Sequence, residues 1–312
     1  MSVQLAHVSA HVSAESAHES TRASVYQLAI ATSAQIPGIH EDDVHLAESL
    51  RRLGVELTVC VWNDPDVDWS SFDAVLIRTT WDYFKLYPAF KVWLDQLPIP
   101  SINNVPLLRW NSDKRYLLEL ESLGVDIIPT RLARGNELAE ALAPMRGKEV
   151  VVKPTVSGGA WHTLRGVVGE REFEYAVTQL PAEFEYLVQP FVAEIVAAGE
   201  WSLLYFDGQY SHAILKRAAR GDYRVQAMFG GSEEAIEPSA EIIASAERAL
   251  RALAALGHAD HAYVRVDGVV AEGRFLLMEL EMIEPYLFLA HRPDAAEQFA
   301  GNLRKRLQAL RG

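Results

Sequence analysis

Cysteine and long apolar runs are scarce in this sequence. The only cysteine, Cys60, lies inside the apolar run 57–61, so disulfide bonds are excluded and a buried structural thiol is expected. No run approaches the roughly 20 apolar residues that a membrane-spanning helix needs, and the N-terminus lacks the continuous apolar core of a secretory signal. These absences predict a cytoplasmic protein without a membrane partner.

Basic residues are also in the minority. The chain has 29 Lys and Arg residues against 42 Asp and Glu residues, which gives a formal net charge of −13. Because a nucleic-acid backbone is bound through a clustered basic surface, we expect no nucleic-acid partner. A small anionic ligand needs only a local group of cations, and basic residues do cluster near the glycine-rich turns of this chain.

The chain is long enough for more than one folded unit. Its 312 residues are 49% hydrophobic and 23% charged, which is typical of two or three domains with buried cores. Residues 1–22 differ, since Ala, Ser, His and Glu dominate and large apolar side chains are few. We predict a disordered extension there, whose histidines could bind a metal only weakly.

Residues 23–110 have the pattern of a parallel α/β domain. The apolar residues from Val44 to Leu53 recur at helical spacing, and the helix should end at Gly54. Strands are predicted over residues 28–30, 56–61 and 72–78. Strands that alternate with a helix favour a parallel sheet. No Gly-x-Gly-x-x-Gly turn follows the first strand, which excludes a dinucleotide-dependent dehydrogenase.

Two further units are predicted after residue 110. Residues 111–188 indicate a small central α+β subdomain that begins with a helix capped by Ser112 and closed by Gly124. Residues 189–312 indicate an antiparallel sheet flanked by helices. The predicted strands cover 202–206, 211–216, 223–228, 262–266 and 275–280, and the predicted helices cover 242–256 and a C-terminal segment with Phe299, Leu303 and Leu307 on one face.

Three acidic residues near the C-terminus predict a magnesium site. Glu279 and Glu281 lie two apart in a predicted strand, so their side chains share a face, and Asp267 ends a neighbouring strand. Carboxylates brought together repel unless a cation neutralises them, and Mg²⁺ prefers oxygen ligands. The alternative is a solvent-facing strand edge, but the apolar residues that flank the pair favour a buried position.

Two lysines are suited to phosphate oxygens. Lys114 opens a predicted helix, and Lys153 closes the strand 149–153 just before the small loop Ser157-Gly158-Gly159. Backbone amides of that loop could also meet phosphates. The loop is not a Walker motif, because no Gly-Lys-Ser/Thr follows it. Lys153 alone could equally be an ordinary lysine at the end of a strand.

A short linker and a second group of cations complete the candidate residues. Gln189, Phe191 and Val192 form an apolar linker whose backbone could pair with an adenine edge, and Glu200 could accept hydrogen bonds from ribose hydroxyls. A plain interdomain connection is the other interpretation of this linker.

The second group of cations consists of Lys216, Arg217 and Arg224, which precede the Gly230-Gly231 turn. Arg224 is suited to holding a carboxylate or an oxyanion by forked hydrogen bonds. The alternative is that Arg217 or Arg224, taken singly, forms a salt bridge at the surface.

The order of these motifs over residues 105 to 290 resembles the ATP-grasp superfamily, and within it bacterial glutathione synthetase and the ribosomal-protein glutamate ligases. The resemblance implies an N-terminal parallel α/β domain, a central lid subdomain and a C-terminal antiparallel sheet, with ATP and Mg²⁺ as cofactors. It assigns phosphates to Lys114 and Lys153, and the acyl-phosphate intermediate to Arg224. The implied adenine, ribose and magnesium contacts are those of Phe191, Glu200, Asp267, Glu279 and Glu281. The family usually has asparagine at the position of Glu281, and the synthetases have a small residue at that of Arg265.

A narrower resemblance concerns the substrate. The segments 78–83, 211–217 and 283–288 are similar to the O-ureido-D-serine cyclo-ligases of D-cycloserine biosynthesis and their relatives. That chemistry would phosphorylate an amino-acid carboxylate and let an internal nitrogen close a ring. Arg78 and Asp82, together with Lys216 and Arg224, would then hold the substrate.

Two other functions compete with the cyclo-ligase. An intermolecular carboxylate–amine ligase would need a second substrate, and an ATP-binding regulatory protein would keep the fold without turnover. The three acids and both lysines favour an enzyme. The substrate is expected to be a small amino-acid-like molecule, and homo-oligomers are possible.

Overall fold

The computed structural model describes residues 25–219, 221–225 and 230–312. The predicted disordered extension, residues 1–22, lies outside these ranges. The strands are β1 (Tyr26–Thr32), β2 (Val55–Val61), β3 (Ala74–Thr79), β4 (Ser101–Ile102), β5 (Arg131–Arg134), β6 (Glu149–Pro154), β7 (Leu164–Val167), β8 (Glu185–Pro190), β9 (Glu200–Phe206), β10 (Gln209–Arg217), β11 (Ser232–Ala235), β12 (Tyr263–Ala271) and β13 (Arg274–Glu281). The α-helices are α1 (Val44–Arg52), α2 (Tyr87–Gln96), α3 (Val105–Asn111), α4 (Tyr116–Ser122), α5 (Leu138–Leu142), α6 (Arg171–Thr178), α7 (Glu194–Ala197), α8 (Ala240–Ala255) and α9 (Pro293–Arg311).

The first sheet is parallel throughout, with strand order β2-β1-β3-β4. β1 and β3 are almost entirely buried, which accounts for their continuous apolar sequence. α1 ends just before Gly54, whose φ of +75° is a left-handed conformation that glycine adopts without strain. The predicted parallel α/β arrangement is confirmed.

The second sheet, order β5-β8-β6-β7, is antiparallel and encloses a small core of its own. The helix predicted to start at Ser112 is wrong in its start. Ser112 ends α3, where its hydroxyl donates to the Arg109 carbonyl, and α4 begins only at Tyr116. A serine that fits a helix N-cap can also close the preceding helix, and the two helices here are separated by four residues.

The third sheet is antiparallel, with order β11-β10-β9-β12-β13. α9 packs the fully buried Phe299, Leu303 and Leu307 into a core shared with the first sheet, and the ring of Phe299 stacks on Phe206 at 4.4 Å. The predicted docking helix is therefore confirmed. The strand predicted over 223–228 is wrong for residues 223–225, which are irregular, and the rest of it lies outside the described residues.

Two predictions are based on the single cysteine and on the lack of long apolar runs, and both concern features that the structure describes. Cys60 is a buried free thiol in β2, as its apolar neighbours predict. Within the described ranges, no helix combines the length and the apolar character needed to cross a bilayer.

Candidate active site

One face of the third sheet carries a buried cluster of charged side chains. In the antiparallel register Asp267 of β12 lies opposite Glu279 of β13, and Arg265 lies opposite Glu281. Ser202 of β9 lies on the other side of Asp267 and donates to its carboxylate. Residues directly opposite in a sheet share a face, so the strands place these groups together as the sequence predicts.

The predicted three-carboxylate site is divided by cations. The Arg265 guanidinium donates to both Asp267 oxygens at 2.8–3.1 Å and forms an ion pair with Glu281. Burial opposes its charge, but Asp267 and Glu281 raise the pKa of Arg265 above its ordinary value. Lys114 Nζ meets the third acid, Glu279, at 2.9 Å. Each carboxylate is neutralised by the chain itself.

This arrangement does not fit a bound magnesium ion. Among the described residues, no group of three or more His, Cys, Asp or Glu side chains could hold a metal. That Asp267, Glu279 and Glu281 hold magnesium stays a prediction, and in the structure their partners are the Arg265 guanidinium for Asp267 and Glu281 and the Lys114 ammonium for Glu279. A metal could use the acids only after Arg265 and Lys114 have moved.

The two predicted phosphate lysines come from different elements and approach the same acid. Lys114 is buried and also donates to the Ser157 carbonyl at 2.6 Å, so it ties the glycine-rich loop to β13. Burial lowers the pKa of Lys153, while the nearby Glu279 raises it. Gly158 packs against the Phe84 ring so closely that a Cβ would lie 2.8 Å from it. The loop is thereby held against the N-terminal part of the chain.

The linker leaves two backbone groups available. The Phe191 amide donates to the Glu149 carbonyl at 3.0 Å, and the Val192 carbonyl accepts from Ile195 at 3.2 Å. In the described part of the chain, the Phe191 carbonyl and the Val192 amide have no such partner. Gln189 is buried and donates from its side chain to Thr130, so it acts within the second sheet.

Apolar side chains surround the linker. Val192 packs in a cluster with Val269, Leu276 and Met278 from the third sheet. A cavity of about 570 Å³ opens beside Phe191, Val192 and Leu276. Charged residues also line this cavity, namely Glu121, Asp126, Glu194, Glu272 and Arg274, so it combines an apolar part beside the linker with charged groups.

Glu200 and Lys216 form a buried pair beside the carboxylates. The Lys216 ammonium donates to Glu200 and lies 3.8 Å from Asp267. Burial raises the pKa of Glu200, and Lys216 opposes that shift. Glu200, which is predicted to bind ribose, and Lys216, which is predicted to bind substrate, are therefore partners of each other.

The two predicted arginines are placed less centrally. Arg217 ends β10 with an exposed side chain, and because successive side chains alternate, it points away from the face that carries Lys216. Arg224 forms an ion pair with Asp222 at 2.7 Å in an irregular segment. Within the described ranges, Arg217 forms no ion pair with the carboxylates that Arg265 and Lys114 bind.

Of the predicted substrate residues Arg78 and Asp82, Arg78 has partners within the protein. Its guanidinium is 3% exposed and donates to both oxygens of Asp43 at 2.9–3.0 Å and to the Pro285 carbonyl at 2.9 Å. Asp82 accepts from the Trp62 indole at 2.9 Å. An arginine that Asp43 already neutralises in the interior is a structural group, and the sequence offered no sign of this partner 35 residues away.

The segment after β13 overlaps residues 283–288, which carry the narrower resemblance, but its hydrogen bonds were not predicted from the sequence. We call residues 282–287 the pinned loop, because each of its six consecutive carbonyl oxygens accepts a hydrogen bond from a side chain. The donors, in order from Met282 to Leu287, are Asn103, Tyr263, Trp81, Arg78, Arg265 and His212, at 2.8–3.0 Å. Half of them come from the first 103 residues and half from the third sheet. The loop also carries Glu284, whose carboxylate is influenced by Lys114 and Arg265.

His212 makes this loop sensitive to acid. A carbonyl can only accept, so Nε2 of the buried ring donates to Leu287 at 3.0 Å, and burial lowers the pKa of His212 to about 4. In the unfolded chain the imidazole of His212 is protonated below about pH 6.5, whereas in the folded chain it is protonated only below about pH 4. Stability should therefore fall by about 1.4 kcal/mol per pH unit across that window because of this residue alone.

Urea unfolding at pH 7, 6 and 5 measures this dependence. His212→Gln keeps an N–H donor but cannot titrate, so its stability should depend less steeply on pH than that of the unaltered protein. His45→Gln, on the exposed face of α1, is the matched control and should keep the full slope. Equal slopes for the His212 variant and the unaltered protein would contradict the assignment.

Comparisons with known proteins agree with this architecture. Residues 28–104 match the family described as the N-terminal domain of the D-cycloserine synthetase DcsG. Over 300 residues the chain is 34% identical to the cycloserine biosynthesis protein DcsG of Streptomyces lavendulae, covering 90% of this chain and 99% of that protein. The crystal structure of D-cycloserine synthetase DcsG matches with a TM-score of 0.81 and the same coverage at 34% identity.

More distant structures share the fold alone. A RimK domain ATP-grasp protein of Sphaerobacter thermophilus matches with a TM-score of 0.66 at 18% identity, covering 88% of this chain and 98% of its own. D-alanine–D-alanine ligase of Bacillus anthracis matches with a TM-score of 0.64 at 19% identity, covering 92% and 100%. The chain therefore shares its overall fold with these ligases.

The chain belongs to the family of ATP-grasp ligases that contains D-cycloserine synthetase. It is accordingly an ATP-dependent carbon–nitrogen ligase, and the resemblance seen in its sequence motifs is confirmed.

Proposed function

We propose that the protein phosphorylates the carboxylate of a small amino acid with ATP and that a nitrogen of the same molecule then displaces the phosphate to close a ring. The observation that carries this proposal is the 34% identity to the cycloserine biosynthesis protein DcsG over 90% of this chain and 99% of that protein. Antibiotic biosynthesis is the proposed context for the same reason.

The nucleotide is proposed to lie between the second and third sheets. The Phe191 carbonyl and the Val192 amide would accept from and donate to the adenine edge, and the apolar cluster around Val192 would contact its faces. The ribose would compete with Lys216 for Glu200. We propose the boundaries near residues 110 and 188 as the limits of the lid that closes over the nucleotide.

The phosphates are proposed to meet Lys114, Lys153 and the amides around Ser157, Gly158 and Gly159. Both lysines approach Glu279, so the site has positive charge that a triphosphate could use and an acid that orders the lysines in its absence. Mg²⁺ would supply further charge neutralisation if Asp267, Glu279 and Glu281 were freed to hold it, which requires Arg265 and Lys114 to leave them.

The chemistry balances in two steps. A substrate carboxylate oxygen forms a bond to the γ-phosphorus while the bond to the leaving ADP oxygen breaks, which gives an acyl phosphate. The nitrogen then bonds to the acyl carbon, loses its proton, and inorganic phosphate departs. Lysine and arginine side chains stabilise the charge that develops on the transferring oxygens.

A phosphate-release assay tests the proposal. The protein is incubated with ATP and Mg²⁺ and with single amino acids, with each enantiomer of O-ureido-serine, or with pairs of amino acids. Released phosphate is measured, and the masses of the products are determined by mass spectrometry. Turnover with one substrate and a mass that matches ring closure would support the cyclo-ligase. Turnover with pairs alone would replace it by an intermolecular ligase.

Arg224→Ala is expected to lower turnover about 100-fold, in keeping with the loss of about 2.7 kcal/mol when one group that stabilises an oxyanion is removed. Nucleotide binding should stay within a few-fold, because Arg224 is proposed to act on the acyl intermediate. Steady-state kinetics and the ADP-induced shift in melting temperature measure the two quantities. Arg248→Ala, on the exposed side of α8, is the control, and normal turnover by the Arg224 variant would refute its role.

A further inference from the structure

The pinned loop holds its backbone in one place without being part of a sheet. Six side chains from widely separated parts of the sequence bind its six carbonyls, and the Asp42 carboxylate accepts from the amides of Leu287 and Leu289. Because these donors come from both the N-terminal part and the third sheet, a shift of the loop would break several hydrogen bonds at once. Each such bond contributes about 1 kcal/mol, so the loop is fixed relative to the carboxylate cluster.

A loop held this firmly presents its own side chain at a defined position. Trp81 Nε1 holds the Glu284 carbonyl at 3.0 Å, and neighbouring carbonyls are held by Tyr263 and Arg78. Functional groups are effective when their support is rigid in this way. Glu284 is therefore positioned as a recognition group would be.

The Glu284 carboxylate lacks a donor from the rest of the protein. Among the residues that the structure describes, only its own backbone amide donates to it, while Lys114 and Arg265 act on it electrostatically. Burial raises the pKa of Glu284 to about 7, with Lys114 opposing the shift. The Glu284 side chain is half-buried and so remains accessible, and a ligand that brings N–H groups can reach its carboxylate and donate to it.

The surroundings define which ligand fits. Arg265 and Lys114 are already paired with Asp267, Glu281 and Glu279, so among the described residues of this group Glu284 is the acid without an ion pair, and it attracts the cationic end of a molecule. The carboxylate end of the same molecule is the one that reacts with ATP. A zwitterionic amino acid carries both charges a few ångströms apart. An uncharged or purely anionic substrate would leave Glu284 without a partner.

We propose that Glu284 binds the α-ammonium group of the substrate, so that this site takes amino acids with a free amino group in preference to their desamino analogues. The inference deepens the proposed function and rests on it for the identity of the reacting carboxylate. It makes Glu284 a specificity-determining residue, and it leaves the ATP contacts to other side chains.

Paired substrates and a paired variant test the inference. The probes are O-ureido-D-serine and 3-(ureidooxy)propanoic acid, which differ only in the amino group, and the variant is Glu284→Gln, which keeps the shape of the side chain but not its charge. Calorimetry with ADP present should show the unaltered protein preferring the amino acid by about 30-fold or more. In Glu284→Gln that preference should fall to within about threefold, with unchanged ADP affinity.

Kinetics separate recognition from a structural role. Glu284→Gln should raise KM for the amino acid about 30-fold while kcat and KM for ATP change less than threefold, and Glu284→Asp should recover part of the loss. Glu234→Gln on β11, whose side chain is exposed, is the matched control. Equal binding of the two probes by the unaltered protein, or an undiminished preference in Glu284→Gln, would overturn the inference. Tight, charge-dependent binding without turnover would overturn the proposed reaction and leave the role of Glu284 standing.

Discussion

Lys114→Met is expected to lower kcat/KM for ATP by about a thousandfold, equivalent to about 4 kcal/mol. Lys114 holds the Ser157 carbonyl at 2.6 Å and Glu279 at 2.9 Å, so one side chain joins the glycine-rich loop to the acidic strand. Removing it deprives the phosphates of a charge, frees the loop, and leaves the Glu279 carboxylate beside no ammonium but that of Lys153. Phosphate release as a function of ATP concentration measures the effect.

The double variant Lys114→Met with Glu279→Gln should regain stability without regaining activity. Breaking a buried ion pair by removing one partner costs about 3–5 kcal/mol, whereas removing both partners can be nearly neutral. Lys114→Met should therefore lower the melting temperature, and Lys114→Met with Glu279→Gln should recover much of that loss while remaining inactive. Lys148→Met, an exposed lysine before β6, is the control. Turnover by Lys114→Met within tenfold of the unaltered protein would show that its role is structural only.

The strands and helices could be predicted because each depends on a pattern among residues that are close together in the sequence. Alternation along β13 places Glu279 and Glu281 on one face, and helical spacing identifies α9 and its buried Phe299. Both features depend on residues only a few positions apart. The antiparallel pairing of β12 with β13 then brings Asp267 opposite Glu279, as the sequence predicts.

The partners of the charged residues could not be predicted in the same way. The carbonyl that Arg78 binds, Pro285, is 207 positions away, and Trp81 binds a carbonyl 203 positions away. No periodicity encodes such contacts, since they arise only when the first and third sheets are packed. For the same reason the sequence identified Arg78 as a substrate group and passed over Glu284.

Arg265 shows the limit of reasoning from residue types. Three acids on two adjacent strands indicate a cation, and that conclusion agrees with the structure, but the cation present is a guanidinium from the same strand as Asp267. The signal was in the sequence, because Arg265 lies two positions before Asp267 and so on the same face. An arginine at that spacing changes the prediction. The acids would not form a ready metal site, because Arg265 would have to leave them before a metal ion could bind.

Arg265→Gln is therefore expected to convert the protein into one whose stability depends on metal. The guanidinium neutralises Asp267 and Glu281 and also holds the Tyr286 carbonyl at 3.0 Å, so its loss leaves the buried Asp267 and the half-buried Glu281 without this cation. That imbalance costs about 3–5 kcal/mol, which corresponds to a fall in melting temperature of roughly 5–8 °C for a chain of this length. A divalent cation that enters between the acids would restore most of the loss.

Thermal melts with excess Mn²⁺ or with EDTA, without nucleotide, distinguish the two states. The unaltered protein should melt at nearly the same temperature in both, whereas Arg265→Gln should gain several degrees with Mn²⁺ and bind it at least tenfold more tightly by electron paramagnetic resonance. Adding Asp267→Asn to the variant should abolish that gain, because one of the acids no longer attracts the ion. Arg274→Gln, at the exposed start of β13, should behave like the unaltered protein. If Mn²⁺ stabilises the unaltered protein as strongly as it stabilises Arg265→Gln, then Arg265 does not occupy the metal's place, and the carboxylates are accessible to a cation from the start.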